Sequence, residues 1–124
     1  MPHFNKLLRL AEIEVARALD RLPDDVRTAA GECAVTYETI NDALDEDESL
    51  GEELLGLFEG LDRLDPPPSG PEEMPRIRLF LDNLWDYCDG DELAYRKEIR
   101  ITYLHELGHY LGWDEEKIDE LGLG

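Results

Sequence analysis

The chain has 124 residues, which is enough for one compact domain, and we interpret residues 1–124 as a single domain. Its 31 acidic and 12 basic residues leave a formal net charge of -19. This charge repels phosphate backbones and anionic lipids, so we expect neither a nucleic-acid partner nor membrane association, whereas divalent cations are favoured.

The sequence has no apolar run of the roughly 18 residues that a membrane span needs, and its start does not follow the order of a signal peptide. Cys33 and Cys88 form no Cys-x-x-Cys pair, which is typical of reduced, buried thiols. We therefore expect a cytoplasmic protein.

The first third of the chain predicts a helix and a strand. Apolar residues spaced three and four apart from Phe4 to Leu22 indicate an amphipathic helix, which Pro23 ends. Apolar side chains then alternate with others from Cys33 to Tyr37, as in a strand with one buried face. The acidic run from 41 to 53 lacks the ligand spacing of a calcium loop and is typical of a solvated loop.

Two further strands are predicted around a proline-rich excursion. The apolar run from 54 to 60 favours a second strand, although its length alone also fits a helical turn. Five of the seven prolines lie between 65 and 75 and predict irregular backbone. Ile77, Leu79 and Leu81 alternate with other residues in a third strand, whose opposite face carries Arg76 and Arg78 and therefore indicates an edge strand.

A long helix is predicted after the turn at 89–91, with Asp91 as its N-cap and an end near Leu111. Gly112 is placed to form a left-handed C-terminal cap, and a short helix follows from Asp114. Its apolar contacts would be Ile118 and Leu121. The long helix would be anchored by an apolar stripe, Ile101, Leu104, Gly108 and Leu111, with Gly108 allowing a close approach to the sheet.

The run His105-Glu106-Leu107-Gly108-His109 lies inside this helix. Two histidines four residues apart lie one turn apart on the same face, close enough to bind one ion, and imidazole nitrogens are favoured ligands of Zn²⁺. Glu106 lies about 100° further round the helix, where it would flank the ion and hold a water beside it. That arrangement predicts a zinc site in which Glu106 is the general base.

A third protein ligand would complete a site of two histidines and one carboxylate. A turn at Gly112 brings four acidic residues within reach of the ion, and these are Asp114, Glu115, Glu116 and Asp119. Glu115 is our choice, because its distance from His109 equals that of the third ligand in metzincins. The acidic residues also suit the first turn of a helix without any metal.

Other aromatic and histidine side chains have weaker claims to a role. Tyr103 and Tyr110 could donate to a developing oxyanion, but tyrosines on a helix more often belong to the core or its rim. Trp85 and Trp113 are interpreted as packing residues, and His3 has no partner in the sequence pattern.

The sequence resembles a family of small bacterial proteins regarded as candidate metallopeptidases with a minimal zincin fold. The resemblance covers the helix that ends at Leu22-Pro23, the segment 54–60, the strand Ile77–Phe80 and the block His105–Gly112, and that family usually has aspartate where this chain has Glu115. It implies an α+β zincin-like fold, with a small three-stranded sheet packed against an N-terminal helix and the motif helix. It also implies a metal site at His105, His109 and Glu115.

Two functions remain open at this point. The first is a zinc metallopeptidase that hydrolyses peptides or unfolded protein segments, which would bind by β-augmentation along the predicted edge strand, that is, the third strand. The second is a non-catalytic binding or structural module that keeps the zincin fold, with a vestigial or structural metal site. The short chain favours the second function, because it offers few walls for a deep substrate cleft.

Overall fold

The structure, a computed structural model, describes residues 2–120 except the side chain of Asp119. It has an α+β fold with a three-stranded sheet, as predicted, and residues 2–120 contain six α-helices and one short 3₁₀ helix. In chain order the elements are α1 (Phe4–Asp20), α2 (Asp24–Ala30), β1 (Ala34–Glu38), α3 (Ile40–Glu46), β2 (Gly56–Glu59), the 3₁₀ helix (Pro71–Glu73), β3 (Arg76–Phe80), α4 (Leu81–Tyr87), α5 (Glu92–Tyr110) and α6 (Glu115–Glu120).

The sheet has the order β1-β3-β2, with β1 parallel and β2 antiparallel to β3. The long helix α5 packs on β2 and β3, and α1 packs mainly against α5 and α4. Ile77 and Leu79 of β3 face this helical layer and are fully buried there, together with Leu7 of α1 and Ile99 of α5. None of the helices within residues 2–120 is long and apolar enough to cross a membrane.

The prediction that the third strand lies at the edge is wrong, because β3 is the central strand. Arg78 is only 4% exposed, and its guanidinium pairs with Glu38 of β1 at 2.7 Å and with Glu59 of β2 at 2.8 Å. A hydrogen bond from Arg78 lowers the pKa of Glu38. Charged partners on both neighbouring strands thus allow an arginine to occupy the centre of a sheet.

Other local expectations also need correction. The acidic run is not all loop, because residues 40–46 form α3, with Ile40 and Ala43 buried against Phe80. Leu81 begins α4 and is not part of the third strand. Helices α2 and α4 were not predicted, and Leu121 lies outside the described residues.

Candidate metal centre

Helix α5 carries the two histidines on a rigid support. Its first turn is capped by the carboxylate of Asp91, which accepts a hydrogen bond from the Ala94 N–H at 3.1 Å, as predicted. The helix is held by a buried face that includes Tyr95, Ile99, Tyr103, Leu107 and Tyr110. The predicted anchoring stripe is therefore correct only in part: Gly108 is buried, and Leu104 and Leu111 are partly buried against the core, but the tyrosines fill the centre of that core.

His105 and His109 lie on one face of α5 at the surface, with their ring centroids 5.0 Å apart. Their side chains are 29% and 34% exposed. Both imidazoles can thus be reached by a solvent-borne ion while the helix backbone behind them remains packed.

The turn after α5 brings a carboxylate to the two imidazoles. Gly112 has a φ of +80°, and its N–H donates to the carbonyl of His109 at 3.0 Å, so the predicted left-handed cap is present. The N–H of Trp113 donates to the carbonyl of Gly108, also at 3.0 Å. These bonds reverse the chain so that α6 begins, at Glu115, beside the histidines.

Gly108 allows α6 to lie against α5. A Cβ atom added at Gly108 would lie 2.7 Å from Cγ1 and 2.8 Å from Cδ1 of Ile118, which is itself fully buried. The close approach predicted for this glycine therefore exists, but its neighbour is α6 and not the sheet. Ile118 thereby fixes the position of Glu115, which lies three residues earlier in the same helix.

Three side-chain atoms converge at this point. Oε1 of Glu115 lies 3.3 Å from Nε2 of His105 and 3.1 Å from Nε2 of His109, and all three ligand atoms lie within 4.8 Å of one another. Ligands about 2.0–2.1 Å from a tetrahedral zinc are about 3.3–3.4 Å apart, so the two distances match the edges of such a site. Two imidazoles and one carboxylate also leave a fourth position open, as in catalytic zinc sites.

The remaining acidic candidates do not join this cluster. The carboxylate of Asp114 accepts the Lys117 N–H at 2.8 Å and so caps α6. Glu116 is exposed and is not part of the group of converging ligand atoms. The side chain of Asp119 lies outside what the structure describes.

Glu106 lies beside the histidines and is held by the sheet. Its Oε1 accepts a hydrogen bond from the backbone N–H of Phe58, in the edge strand β2, at 3.0 Å. The other carboxylate oxygen has no protein partner among the described residues. The sequence did not predict the contribution of Phe58, because every residue except proline has a backbone N–H and the residue type does not show which one is used.

Gly56 brings β2 close enough to α5 for this bond. A Cβ atom added there would lie 2.6 Å from Cγ2 of Thr102 and 3.2 Å from the carbonyl oxygen of Arg78. A glycine inside an apolar strand often marks such a close approach of backbone, and this signal was available in the sequence.

The two tyrosines belong to the core. Tyr103 is 1% exposed and Tyr110 is 4% exposed, and burial raises the pKa of both phenols. The Tyr110 hydroxyl is directed at Glu32, 3.5 Å away, and not at the histidines. Trp85 packs edge-on against Tyr95, in agreement with its expected packing role.

A shallow cavity of about 240 Å³ adjoins the site. It lies between β2 and α5, with Leu55 and Gly56 on one side, Ile101 and Thr102 on the other, and His105 and Glu106 at one end. Substrate-sized pockets usually exceed about 300 Å³, so this cavity accommodates a short stretch of chain and not a large ligand.

Comparison with known proteins agrees with this geometry. The profile of one family, described as zincin-like metallopeptidase, matches residues 30–124. A comparison with curated proteins gives no match. The match to the profile covers three quarters of the chain, from the end of α2 through β1, β2, β3 and α5 to the last residue. The chain therefore belongs to the zincin-like metallopeptidase family.

Proposed function

We propose that the protein is a zinc-dependent peptidase in which His105, His109 and Glu115 bind the ion and Glu106 is the general base. The observation that supports this proposal most directly is the convergence of two imidazole nitrogens and one carboxylate oxygen, at distances of 3.1 and 3.3 Å. Membership of a metallopeptidase family supports the same class of reaction.

A bound zinc would lower the pKa of a water molecule and polarise the substrate carbonyl. Glu106 would take the proton from that water and later deliver it to the amide nitrogen that leaves. The N–H of Phe58 occupies Oε1 of Glu106, so Oε2 is the atom available to accept the proton. The same bond fixes the carboxylate in one orientation, which reduces the entropy lost on reaching the transition state.

Strand β2 is the edge on which we place the substrate. It borders only β3 in the sheet, and its outer side lies next to Glu106. A peptide added to that side by main-chain hydrogen bonds would pass the histidines, with its side chains alternating between the cavity and solvent. The substrate is therefore proposed to be an extended peptide or an unfolded protein segment.

The proposed setting is the cytoplasm, with the chain acting as a single domain. Cys33 and Cys88 are both free, and burial raises the pKa of the Cys33 thiol to about 12. Unpaired thiols of this kind are typical of reducing compartments.

The test separates metal binding from chemistry. Elemental analysis should find about one equivalent of zinc in the wild type and in Glu106→Gln, and much less in His109→Ala. Glu115→Gln should also lose zinc, whereas its neighbour Glu116→Gln, with the same change of charge, should not. Glu106→Gln should reduce hydrolysis of a peptide library by a factor of about 100 or more.

The second candidate function is a non-catalytic zincin-fold module, and the shallowness of the cavity beside His105 favours it. Wild-type protein that holds zinc but hydrolyses a peptide library no faster than Glu106→Gln would support this function. The peptidase proposal would then be wrong even if the three ligands are correct.

A further inference from the structure

A second concave surface lies between α5 and the C-terminal end of α1. We call it the basic groove; it encloses about 300 Å³. Its cationic lining consists of Arg21, Lys97 and Arg100, and its apolar lining includes Leu22, Ile101 and Leu104. No acidic side chain among the described residues lines it.

The basic groove is unusual in this protein because acidic residues outnumber basic ones by 31 to 12. Arg21 and Lys97 form no ion pair with any described side chain. Arg100 pairs with the fully buried Glu14 at 2.6 Å.

Glu14 does not neutralise the groove, because it is shared among several cations. Its carboxylate also lies 3.3 Å from Arg17 and 3.6 Å from Arg96. One negative charge faces three guanidiniums, so the cations that contact Glu14 outnumber it. A carboxylate from another molecule would meet two unpaired cations in the groove.

The basic groove adjoins the cavity at the candidate metal centre. Ile101 lines both, and it lies one helical turn before His105. Lys97 is eight residues before His105, which corresponds to about 12 Å along the helix axis. An extended peptide advances about 3.3 Å per residue, so this distance spans three or four residues.

We propose that the basic groove binds a carboxylate of the peptide substrate, three or four residues from the bond that is cleaved. This inference depends on the proposed peptidase function and names its substrate class. The carboxylate would be that of an acidic side chain or of the C-terminus of the peptide. The apolar side chains Leu22 and Leu104 would contact the residue that carries it.

Two other electrostatic features bear on this preference, the side chain of Glu98 and the net charge of the protein. Glu98 lines the cavity near Ile101 and disfavours an acidic residue within that cavity, so the carboxylate is directed to the groove. The net charge of -19 repels anionic peptides at long range. At physiological ionic strength that repulsion is screened beyond about 8 Å, and the two nearby cations determine the preference.

Equilibrium binding tests the inference without depending on turnover. Zinc-loaded Glu106→Gln protein is titrated with three dye-labelled pools of ten-residue peptides, in which two positions are fixed and the rest are random. The first pool has glutamate at the fixed positions and an amidated end, the second has glutamine and a free C-terminal carboxylate, and the third has glutamine and an amidated end. At least one of the first two pools should bind about fourfold or more tightly than the third, and the pool that does so identifies the source of the carboxylate.

Removing the cations should remove the preference. In the Glu106→Gln background, Arg21→Gln and Lys97→Gln should each weaken binding of the preferred pool by about two- to fivefold, the range of a partly exposed ion pair. Arg9→Gln is the matched control, since Arg9 is an exposed arginine on the same helix, about 18 Å away along its axis. It should leave the preference unchanged.

The inference would be overturned if all three pools bind equally or if none of them binds. It would also be overturned if Arg9→Gln and Arg21→Gln weaken binding equally. The proposed function fails separately, through loss of zinc binding or through wild-type hydrolysis no faster than that of Glu106→Gln. If the protein prefers carboxylate peptides but does not cleave them, the inference about the groove is correct and the proposed peptidase function is wrong.

Discussion

Replacing Gly108 by alanine should disrupt the proposed metal site, although Gly108 is not among the proposed ligands. The added Cβ would lie 2.7 and 2.8 Å from two carbons of Ile118, whereas carbon atoms in contact are about 3.5–4.0 Å apart. Because Ile118 is fully buried and protein interiors are close-packed, we expect this overlap to be relieved by a movement of α6 of about 1 Å. Glu115 moves with it.

The displacement should affect zinc binding far more than folding. A ligand oxygen about 2.1 Å from zinc would lie about 3 Å from it after such a shift, which is no longer a coordinate bond. Overpacking costs about 1–3 kcal/mol, and alanine regains about 1 kcal/mol over glycine within a helix. The net loss of at most about 2 kcal/mol leaves most of the unfolding free energy of a typical domain.

The zinc dissociation constant of Gly108→Ala should therefore rise by about 100-fold, toward that of Glu115→Ala, since even indirect supports of a metal ligand contribute 10- to 100-fold. Competition with a chromophoric chelator measures this, and thermal unfolding of the metal-free protein checks the fold. In the double variant Gly108→Ala/Ile118→Ala the overlap is removed. Its loss of zinc-binding free energy should therefore be smaller than the sum of the losses in the two single variants.

A folded Gly108→Ala protein that binds zinc within about threefold of the wild type would refute this reasoning. If Glu115→Ala then loses zinc, the contact between Gly108 and Ile118 does not fix α6. If Glu115→Ala also retains zinc, Glu115 is not the third ligand.

Three further predictions concern other parts of the fold. Phe58→Pro removes the N–H that orients Glu106. The control, Phe58→Ala, also loses the aromatic ring but keeps the N–H. The kcat of Phe58→Pro should be about tenfold lower than that of Phe58→Ala, with equal zinc content in both variants. Arg78→Met should lower the free energy of unfolding at pH 7 by on the order of 3 kcal/mol. The pKa of Glu38 is lowered in the folded protein, so its stabilising contribution is present above about pH 4.5 and is lost as the pH falls through the pKa of the folded state. Measurements of the free energy of unfolding between about pH 3 and 7 should show this loss in the wild type and not in Arg78→Met. Cys33, whose thiol pKa burial raises to about 12, should react with a maleimide at pH 8 only at the rate of unfolding, and faster labelling would contradict its burial.

The parts of the fold that follow from local pattern were predictable from the sequence. The spacing of apolar residues in α1 and the N-cap at Asp91 each determine a local structure within a few residues, and both are present. The left-handed turn at Gly112 is of the same kind. The two histidines share a face for the same reason, since four residues are about one turn of a helix.

The errors arose where distant residues decide the outcome. The two arginines of β3 indicated an edge strand, because only the folded chain shows that Glu38 and Glu59 are available to pair with Arg78. Gly108 was assigned to the sheet, since the sequence does not show that Ile118 would pack on it. The acidic run concealed α3, because two buried residues, Ile40 and Ala43, are enough to hold a helix of two turns.

The division of the candidate ligands between two helices has a consequence for metal exchange. His105 and His109 lie on the 19-residue helix α5, but Glu115 lies on a six-residue helix in which Ile118 is the fully buried residue among the side chains that the structure describes. Burial of one such side chain contributes about 1.5–3 kcal/mol, so in the absence of metal α6 is expected to detach in about 1–10% of molecules. Detachment removes one ligand and leaves two, which makes opening of α6 the step through which an ion would enter or leave.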